Sequence, residues 1–285
     1  MNESEPSNAR VSSLLNNIYR CADKSSWYSD VAQAYDRTRP RYPQKLFGKM
    51  IEIAKLQPPK KILEIGSGPG IASIEFAKLG IELLGIEPSL AACEIARHKC
   101  ADYPQVKFVN STFEEWTSTS QQFDAVVATT SFHWVTPEIR TRKSASALKD
   151  NGHLILLWNT PPEPSDEILR SLSEVYQVYA PELDSPENIQ NHQQNLAKFG
   201  QEVVDSGYFG DLITESIISQ VVYTIDEYLT LLTTLSGYIR LKSSQRRTLL
   251  DELRKVMQSK YGDRLELSYL SVLQMARKAE LTANN

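Results

Sequence analysis

The stretch KILEIGSGPGIASIEFAKLG at residues 61–80 constrains this chain more than any other, because three closely spaced glycines join an apolar run to a helical pattern. The run KILEI is typical of a buried strand, and residues 71–79 are compatible with a helix. Glycines at 66, 68 and 70 let the backbone approach a ligand closely, and the N-terminus of the following helix carries partial positive charge. The stretch therefore predicts a strand, a ligand-binding loop and a helix.

Short apolar runs and helix-compatible segments alternate through the first half of the chain. The apolar runs lie at 61–65, 81–87, 106–109, 124–129 and 153–158. Strands that are apolar on both faces are typical of a parallel sheet covered by helices. Later in the chain, 215–224 and 265–278 have the pattern of two further strands. We therefore expect an α/β fold with a doubly wound, mostly parallel, seven-stranded sheet.

Composition excludes several classes of function. Lys and Arg total 31 against 35 Asp and Glu, a net charge of −4, so no overall basic field is available for nucleic acid. The longest apolar run, 154–158, is far shorter than the ~20 residues of a membrane span. The odd number of cysteines (Cys21, Cys93, Cys100) and the absence of a CxxC pair argue against a disulfide framework and a metal site. We expect a cytoplasmic protein without nucleic-acid or membrane partners.

Two carboxylates indicate what the glycine loop binds. The spacing Gly66-x-Gly68-x-Gly70 is not G-x-G-x-x-G, and it lacks the Gly-Lys-Ser/Thr ending of a phosphate loop. Glu64, two residues before the first glycine, suits an ammonium group better than a phosphate. Glu87 ends the next strand, where an acid commonly accepts both hydroxyls of a ribose. A ligand with a ribose and an ammonium but no phosphate is S-adenosylmethionine.

Five motifs in this order resemble the cofactor motifs of class I S-adenosylmethionine-dependent methyltransferases, in their small-molecule, type 11-like branch. They are ILEIGSGPG, LLGIEPS, VKFVNSTFEEW, FDAVVATTSFHWV and LKDNGHLILLWN. YDRTRPRYP (35–43) and YTIDEYLTLLTTLSGYIRL (223–241) are similar to the trans-aconitate methyltransferase-like subgroup. The resemblance covers most of 27–278. It implies a Rossmann-like methyltransferase fold, S-adenosylmethionine as cofactor with S-adenosylhomocysteine as product, and a small-molecule methyl acceptor.

The same resemblance implies which residues hold the cofactor. The loop Gly66–Gly70 would lie against the methionine part, and Glu87 would hold the ribose. Where many relatives have an Asp for the adenine amino group, this chain has Thr112. Segment 35–43 would fold over the cofactor, with an arginine pairing its carboxylate. The predicted cofactor-binding residues are Tyr35, Arg37, Arg41, Glu64, Gly66, Ser67, Gly68, Gly70, Glu87, Pro88, Thr112, Phe113 and Thr129.

Composition and the resemblance together divide the chain, and the N-terminal arm is inferred from the Ser/Asn-rich composition of its residues. Residues 1–26 are predicted to form a flexible N-terminal arm, and 27–160 the cofactor-binding core, which begins with a leading segment at 27–43. Residues 161–285 would supply the last strands and helical lid insertions over the substrate. We expect the roof of the acceptor pocket to come from 161–200 and 225–262, with the candidate side chains Tyr223, Tyr228, Tyr238 and Arg240.

The reaction implied is methyl transfer to an oxygen, of a carboxylate or a hydroxyl, or to a nitrogen of a small metabolite. A carboxylate acceptor, toward which the resemblance leans, needs no base, whereas a hydroxyl or ammonium acceptor usually does. Of the chain's four histidines, His133 is the candidate base, since it follows Thr129 by four residues. A packing role for that ring is the alternative.

Other functions stay open at this level. An acid about 20 residues after the glycines also fits an NAD-dependent dehydrogenase. A protein methyltransferase or a non-catalytic module with the same fold is also compatible with these motifs. The assembly is expected to be a monomer or a homodimer.

Overall fold

The computed structural model describes residues 28–117, 120–184 and 189–280, so the predicted arm at 1–26 lies outside the described residues. These described residues form one seven-stranded sheet. Its strands are β1 (Lys61–Ile65), β2 (Glu82–Glu87), β3 (Val106–Asn110), β4 (Phe123–Thr129), β5 (Leu148–Asn159), β6 (Phe209–Thr224) and β7 (Arg264–Lys278).

Helices separate most of the strands. The α-helices are α1 (Ala32–Thr38), α2 (Gln44–Ile53), α3 (Ser73–Lys78), α4 (Leu90–Lys99), α5 (Pro137–Ala147), α6 (Asp166–Tyr179), α7 (Ile189–Asp205), α8 (Ile225–Thr233), α9 (Ser236–Arg240) and α10 (Ser243–Tyr261). Single 3₁₀ turns lie at Phe132–Trp134 and Pro181–Leu183. Among the residues that the structure describes, no helix has both the length and the apolar character needed to cross a bilayer.

The strand order is β3-β2-β1-β4-β5-β7-β6. Strands β1 to β5 pair in parallel, whereas β7 is antiparallel to both of its neighbours. The order reverses between β1 and β4, and ligands of such sheets bind at the carboxyl ends of the strands beside that reversal. The predicted doubly wound, mostly parallel sheet is confirmed, and the glycine loop after β1 lies at the reversal.

Both faces of the sheet are covered. Helices α2, α3 and α4 bury Phe47, Phe76 and Cys93 against one face. On the other face, Ala145 of α5 and Val203 of α7 join the second apolar cluster. Two-sided cover explains why the central strands read as continuous apolar runs rather than alternating ones.

Helix α7 was not predicted as a helix, because its segment reads as largely polar. It packs on β7 through a narrow contact: a Cβ at Gly200 would lie 2.7 Å from Nε2 of Gln274. The Nε2 amide of Gln274 also donates to the carbonyl of Leu196 at 3.0 Å. Ile189, Leu196, Phe199 and Val203 of this helix also pack into the second apolar cluster at helical spacing, but the polar residues between them obscured this amphipathic pattern in the sequence.

Helices α6, α8 and α10 form a third apolar cluster beyond the carboxyl end of the sheet. Tyr228 and Tyr238, which were expected to face an acceptor, are buried in it at 3% and 6% exposure. The hydroxyls of Tyr176 and Tyr238 lie 2.6 Å apart. These tyrosines therefore contribute to the core between helices α6, α8 and α10.

Candidate active site

The loop after β1 adopts a conformation that glycine favours. Gly66, Gly68 and Gly70 have φ values of +63°, +53° and +75°, in the left-handed region that is costly for other residues. A Cβ at Gly66 would lie 2.6 Å from Cβ of Ser131, whereas a Cβ at Gly68 would meet no atom within 4 Å. Gly66 is therefore packed tightly against Ser131, whereas the space beside the Cα of Gly68 is open.

Glu87 reaches this loop from the end of β2. One carboxylate oxygen accepts from the N–H of Gly68 at 2.8 Å, and the other accepts from the N–H of Ser89 at 2.8 Å. The side chain is 7% exposed. Burial raises the pKa of Glu87, and the N–H groups of Ser89 and Gly68 oppose that shift. Each oxygen keeps lone-pair capacity, so a ligand hydroxyl can still donate to it.

Glu64 lies fully buried in β1, beneath the loop. It accepts hydrogen bonds from Ser73 Oγ at 2.5 Å and from Thr129 Oγ1 at 2.9 Å. Burial raises the pKa of Glu64 to about 7, although both hydroxyls act to lower it. The structure thus joins two predicted site residues, Glu64 and Thr129, through a direct hydrogen bond.

The turn after β4 contributes residues that the sequence analysis did not single out. Thr130 has φ of +54°, a rare conformation for a β-branched residue. Its Oγ1 accepts from the N–H of Asn159 at 3.0 Å and lies 2.9 Å from the hydroxyl of Tyr42. The ends of β4, β5 and the leading segment therefore meet at Thr130. A threonine at positive φ leaves no pattern in the sequence, so only the fold reveals it.

The segment after β3 lies beside Glu87. The Asn110 amide donates to the carbonyls of Glu87 and Pro88 at 2.9 and 2.8 Å. Thr112 Oγ1 bonds within its own turn, to the carboxylate and the N–H of Glu115 at 3.0 and 3.1 Å. Phe113 is buried at 3% exposure. Both predicted adenine-side residues are thus near the acid predicted for the ribose, and their contact with adenine stays a prediction.

The leading segment crosses the carboxyl end of the sheet. Near β2, Ser29 Oγ lies 2.8 Å from Ser89 Oγ. Beyond β4, the Tyr28 ring contacts the rings of Trp134 and Tyr35, with centroids 5.5 and 6.2 Å away. The segment therefore spans the predicted cofactor site from the ribose side to the methyl side.

The two predicted arginines lie on the outer side of that segment. Arg37 is exposed. Arg41 donates to the carboxylate of Asp36 at 3.2 Å and to the Asp36 carbonyl at 2.9 Å. Lys99 donates to the same carboxylate at 2.5 Å. Pairing of either arginine with a cofactor carboxylate stays a prediction.

His133 lies in the 3₁₀ turn that follows β4. Its ring centroid lies 4.8 Å from that of Trp134, 5.7 Å from that of Trp158 and 6.4 Å from that of Phe199. The ring is half-buried in this aromatic group. Its predicted role as a base stays a prediction.

A cavity of about 910 Å³ opens beyond the ends of β5 and β7. Segment 160–169 and the first turn of α7 line it on one side, and β6 and β7 on the other. From the predicted roof segment 225–262, Tyr261 lines it. The first of the two segments predicted for the acceptor roof therefore borders most of this space.

Comparisons with known proteins agree with this geometry. Residues 62–152 match a family described as a methyltransferase domain. An uncharacterized methyltransferase of Mycobacterium tuberculosis is 28% identical over 141 residues, which are 50% of this chain and 55% of the relative. An uncharacterized methyltransferase of Oceanobacillus iheyensis is 28% identical over 115 residues, 40% of this chain and 47% of the relative. The chain thus spans about half the length of these curated relatives.

Solved structures share the fold. A protein assigned as a type II methyltransferase from Anaeromyxobacter dehalogenans superimposes with a TM-score of 0.59 at 18% identity, over 84% of this chain and 97% of that one. Phosphoethanolamine N-methyltransferase 2 of Haemonchus contortus, in complex with S-adenosyl-L-methionine, superimposes with a TM-score of 0.52. Its sequence identity is 14%, over 92% of this chain and 60% of that one. At these identities the likeness concerns the fold alone.

Proposed function

We propose that this protein is a class I S-adenosylmethionine-dependent methyltransferase that transfers the cofactor's methyl group to an oxygen or nitrogen of a small metabolite; residues 62–152 match a family described as a methyltransferase domain. The observation that carries the proposal is the Glu87 carboxylate, which Gly68 and Ser89 hold at the open side of the glycine loop. Two oriented acceptor oxygens suit a pair of vicinal hydroxyls, and no phosphate-binding lysine accompanies them.

The residues present fit S-adenosylmethionine. The open space in front of Gly68 leaves room for a ligand against the backbone. Burial raises the pKa of Glu64 to about 7, and the cofactor's ammonium group nearby would favour its ionised form. When bound, the cofactor supplies a methyl carbon that its sulfonium has already activated. The chain's own task is then to align an acceptor and exclude water.

The leading segment excludes water from the reacting groups. Tyr42 is anchored to Thr130, and Asn159 donates from its amide to the carbonyl of Pro40 at 3.1 Å. These contacts hold the segment across the ends of β4 and β5. The cavity of about 910 Å³ beyond the ends of β5 and β7 has a size typical of small-molecule sites.

Calorimetry with S-adenosylhomocysteine tests the cofactor assignment. We expect binding by the wild-type protein and no comparable binding of NAD, because the loop lacks the dinucleotide spacing. Glu82→Gln serves as a control variant. It removes an exposed acid from β2, the strand that ends in Glu87, and should leave binding intact. Binding of NAD alone would favour the dehydrogenase alternative.

A labelled-methyl assay tests the acceptor class. The protein is incubated with methyl-labelled cofactor and cell extract, and the label is measured separately in the small-molecule and macromolecular fractions. We expect it in the small-molecule fraction. Label confined to protein would instead support a protein methyltransferase.

A further inference from the structure

The carboxyl group of Glu64 is buried without a basic partner. It belongs to the next-to-last residue of β1 and is fully shielded from solvent. Its partners are the hydroxyls of Ser73, at 2.5 Å, and Thr129, at 2.9 Å. Among the described residues, the charge that acts on it is that of Glu87, another carboxylate. Burying a charge without a counter-charge is costly, so the free protein favours the protonated form of Glu64.

The titratable groups that face Glu64 from the neighbouring elements supply no positive charge. They are Glu87 at the end of β2, Tyr42 of the leading segment and Cys100 after α4. Burial raises the pKa of Glu87, and it raises that of Cys100 to about 11. Burial also raises the pKa of Tyr42, and the charges of Tyr35 and Glu64 add to that shift. Each of these groups is neutral or negative at pH 7, so a counter-charge for Glu64 has to come from a ligand.

Glu64 lies at the edge of the sheet where ligands of this fold bind. Thr129, which donates to it, is the last residue of β4, and the strand order reverses between β1 and β4. The hydroxyl of Tyr42 lies 2.9 Å from that of the next residue, Thr130. Glu64 thus lies beneath both the glycine loop and the turn after β4. A cation bound at this edge acts on it through a buried medium, in which charges interact strongly.

Resting on the proposed function, we propose that Glu64 selects for ligands with an ammonium group, and that the ammonium of the cofactor ionises Glu64 on binding, with release of one proton to the solvent. The O–H bond of the carboxyl group breaks, its electron pair stays on the carboxylate, and the proton passes to water. The ammonium keeps its three hydrogens. Because an α-amino group is already protonated below about pH 7, the released proton comes from the protein.

Ionisation also orients the hydroxyl of Thr129. A carboxylate only accepts hydrogen bonds, so Thr129 Oγ1 gives its hydrogen to Glu64 and keeps its lone pairs for another donor. Hydrogen bonds with the hydroxyls of Thr130 and Thr129 lower the pKa of Tyr42, against the larger effect of burial. The Tyr42 hydroxyl is therefore the donor that can reach Thr129. Binding of the ammonium is thereby linked to the contacts that hold the leading segment.

Calorimetry with S-adenosylhomocysteine counts the released proton. Titrations are run at pH 6 and 7, each in phosphate and in imidazole buffer, whose ionisation enthalpies differ. The difference in measured heat gives the number of protons released. With the pKa of free Glu64 at about 7, we expect about 0.9 proton at pH 6 and about 0.5 at pH 7. The dissociation constant should fall about 5-fold between pH 6 and 7.

A second ligand shows which part of the cofactor is responsible. 5′-Methylthioadenosine has the ribose and the adenine but neither the ammonium nor the carboxylate. We expect it to bind without proton release and with the same dissociation constant at both pH values. A ligand carboxylate would favour proton uptake, so release by S-adenosylhomocysteine alone identifies the ammonium. Equal release by both ligands would assign the proton to the ribose side, where Glu87 lies, and would overturn the inference.

Glu64→Gln tests the residue itself, because glutamine keeps a hydrogen-bonding side chain that does not ionise. This variant should bind S-adenosylhomocysteine about 10- to 100-fold more weakly at pH 7, without proton release. Its binding of 5′-methylthioadenosine should stay within about 2-fold of wild type and confirm its fold. Glu82→Gln, at an exposed position of β2, is the matched control and should release the proton as wild type does.

The outcomes separate this inference from the proposed function. Proton release that persists in Glu64→Gln would overturn the role of Glu64. Binding of S-adenosylhomocysteine by the wild-type protein at pH 6 without proton release would overturn the inference and leave the proposed function standing. No binding of S-adenosylhomocysteine would remove both. If Glu64→Gln does not fold, the comparison of the two ligands on the wild-type protein decides alone.

Discussion

Arg39 of the leading segment is hydrogen-bonded to Thr234, at the junction of α8 and α9. Its Nε donates to Thr234 Oγ1 and its Nη2 to the Thr234 carbonyl, each at 3.1 Å. The hydroxyl of Tyr223 also donates to the carbonyl of Thr38. The leading segment is therefore hydrogen-bonded to the junction of α8 and α9 and to the end of β6.

This link changes what ligand binding should do to the lid. From the sequence, cofactor alone is expected to protect the leading segment, and 225–262 is expected to respond only when acceptor is added. With Arg39 joining the two, S-adenosylhomocysteine alone should slow amide exchange in both 28–43 and 230–241.

Hydrogen exchange of a variant checks this coupling. Arg39→Met should retain protection at 28–43 and lose it at 230–241, whereas Lys45→Met, at an exposed position of α2, should behave as wild type. Protection of 230–241 that persists in Arg39→Met would show that the coupling runs through other contacts.

Glu87→Ala should weaken S-adenosylhomocysteine binding by about 10- to 150-fold, through loss of roughly 1.5–3 kcal/mol of charge-assisted hydrogen bonds. The sequence suggests little change in folding. The structure predicts a stability loss as well, because the N–H groups of Gly68 and Ser89 would lose their acceptor. Calorimetry and denaturant unfolding measure the two effects. An unchanged dissociation constant would remove Glu87 from the site.

The buried Glu64 should make stability depend on pH. Its folded pKa of about 7 lies above the ordinary 4.5, so the folded state binds more protons between these values. The free energy of unfolding should therefore be highest below about pH 4.5 with respect to this group and fall as pH rises to 7, by at most about 3 kcal/mol. Denaturant unfolding of Glu64→Gln should not show this fall in the free energy of unfolding between about pH 4.5 and 7. Equal pH profiles for both proteins would contradict it.

Gly66→Ala should destabilise the protein and impair cofactor binding. The new Cβ would stand 2.6 Å from that of Ser131, and φ is +63°. The left-handed conformation alone costs about 1–2 kcal/mol. Gly48→Ala is the matched control: its Cβ meets no atom within 4 Å on α2, so the helix should gain about 0.5–1 kcal/mol. Thermal unfolding compares them, and equal stabilities would refute the packing argument.

Much of the fold follows from local pattern. The central strands are buried on both faces, so their apolar runs stand out in the sequence, as at 124–129. The glycine loop was identifiable for a related reason, since its three positions of positive φ favour glycine. Glu87 was identifiable from its place at the end of the next strand, and its contact with a ribose stays a prediction. Helix α7 was missed because the polar residues between Leu196, Phe199 and Val203 obscured its apolar face.

By itself, the sequence determined the type of each central element, the loop and its two acids, since residues adjacent in the chain carry that information. Only the tertiary structure decided that β7 inserts antiparallel between β5 and β6. It also decided that Arg39 donates hydrogen bonds to Thr234 and that Nε2 of His192 lies 3.6 Å from Oε1 of Glu163. These contacts join residues 29 to 195 positions apart. Local propensity does not register them, because they arise when distant elements pack against one sheet.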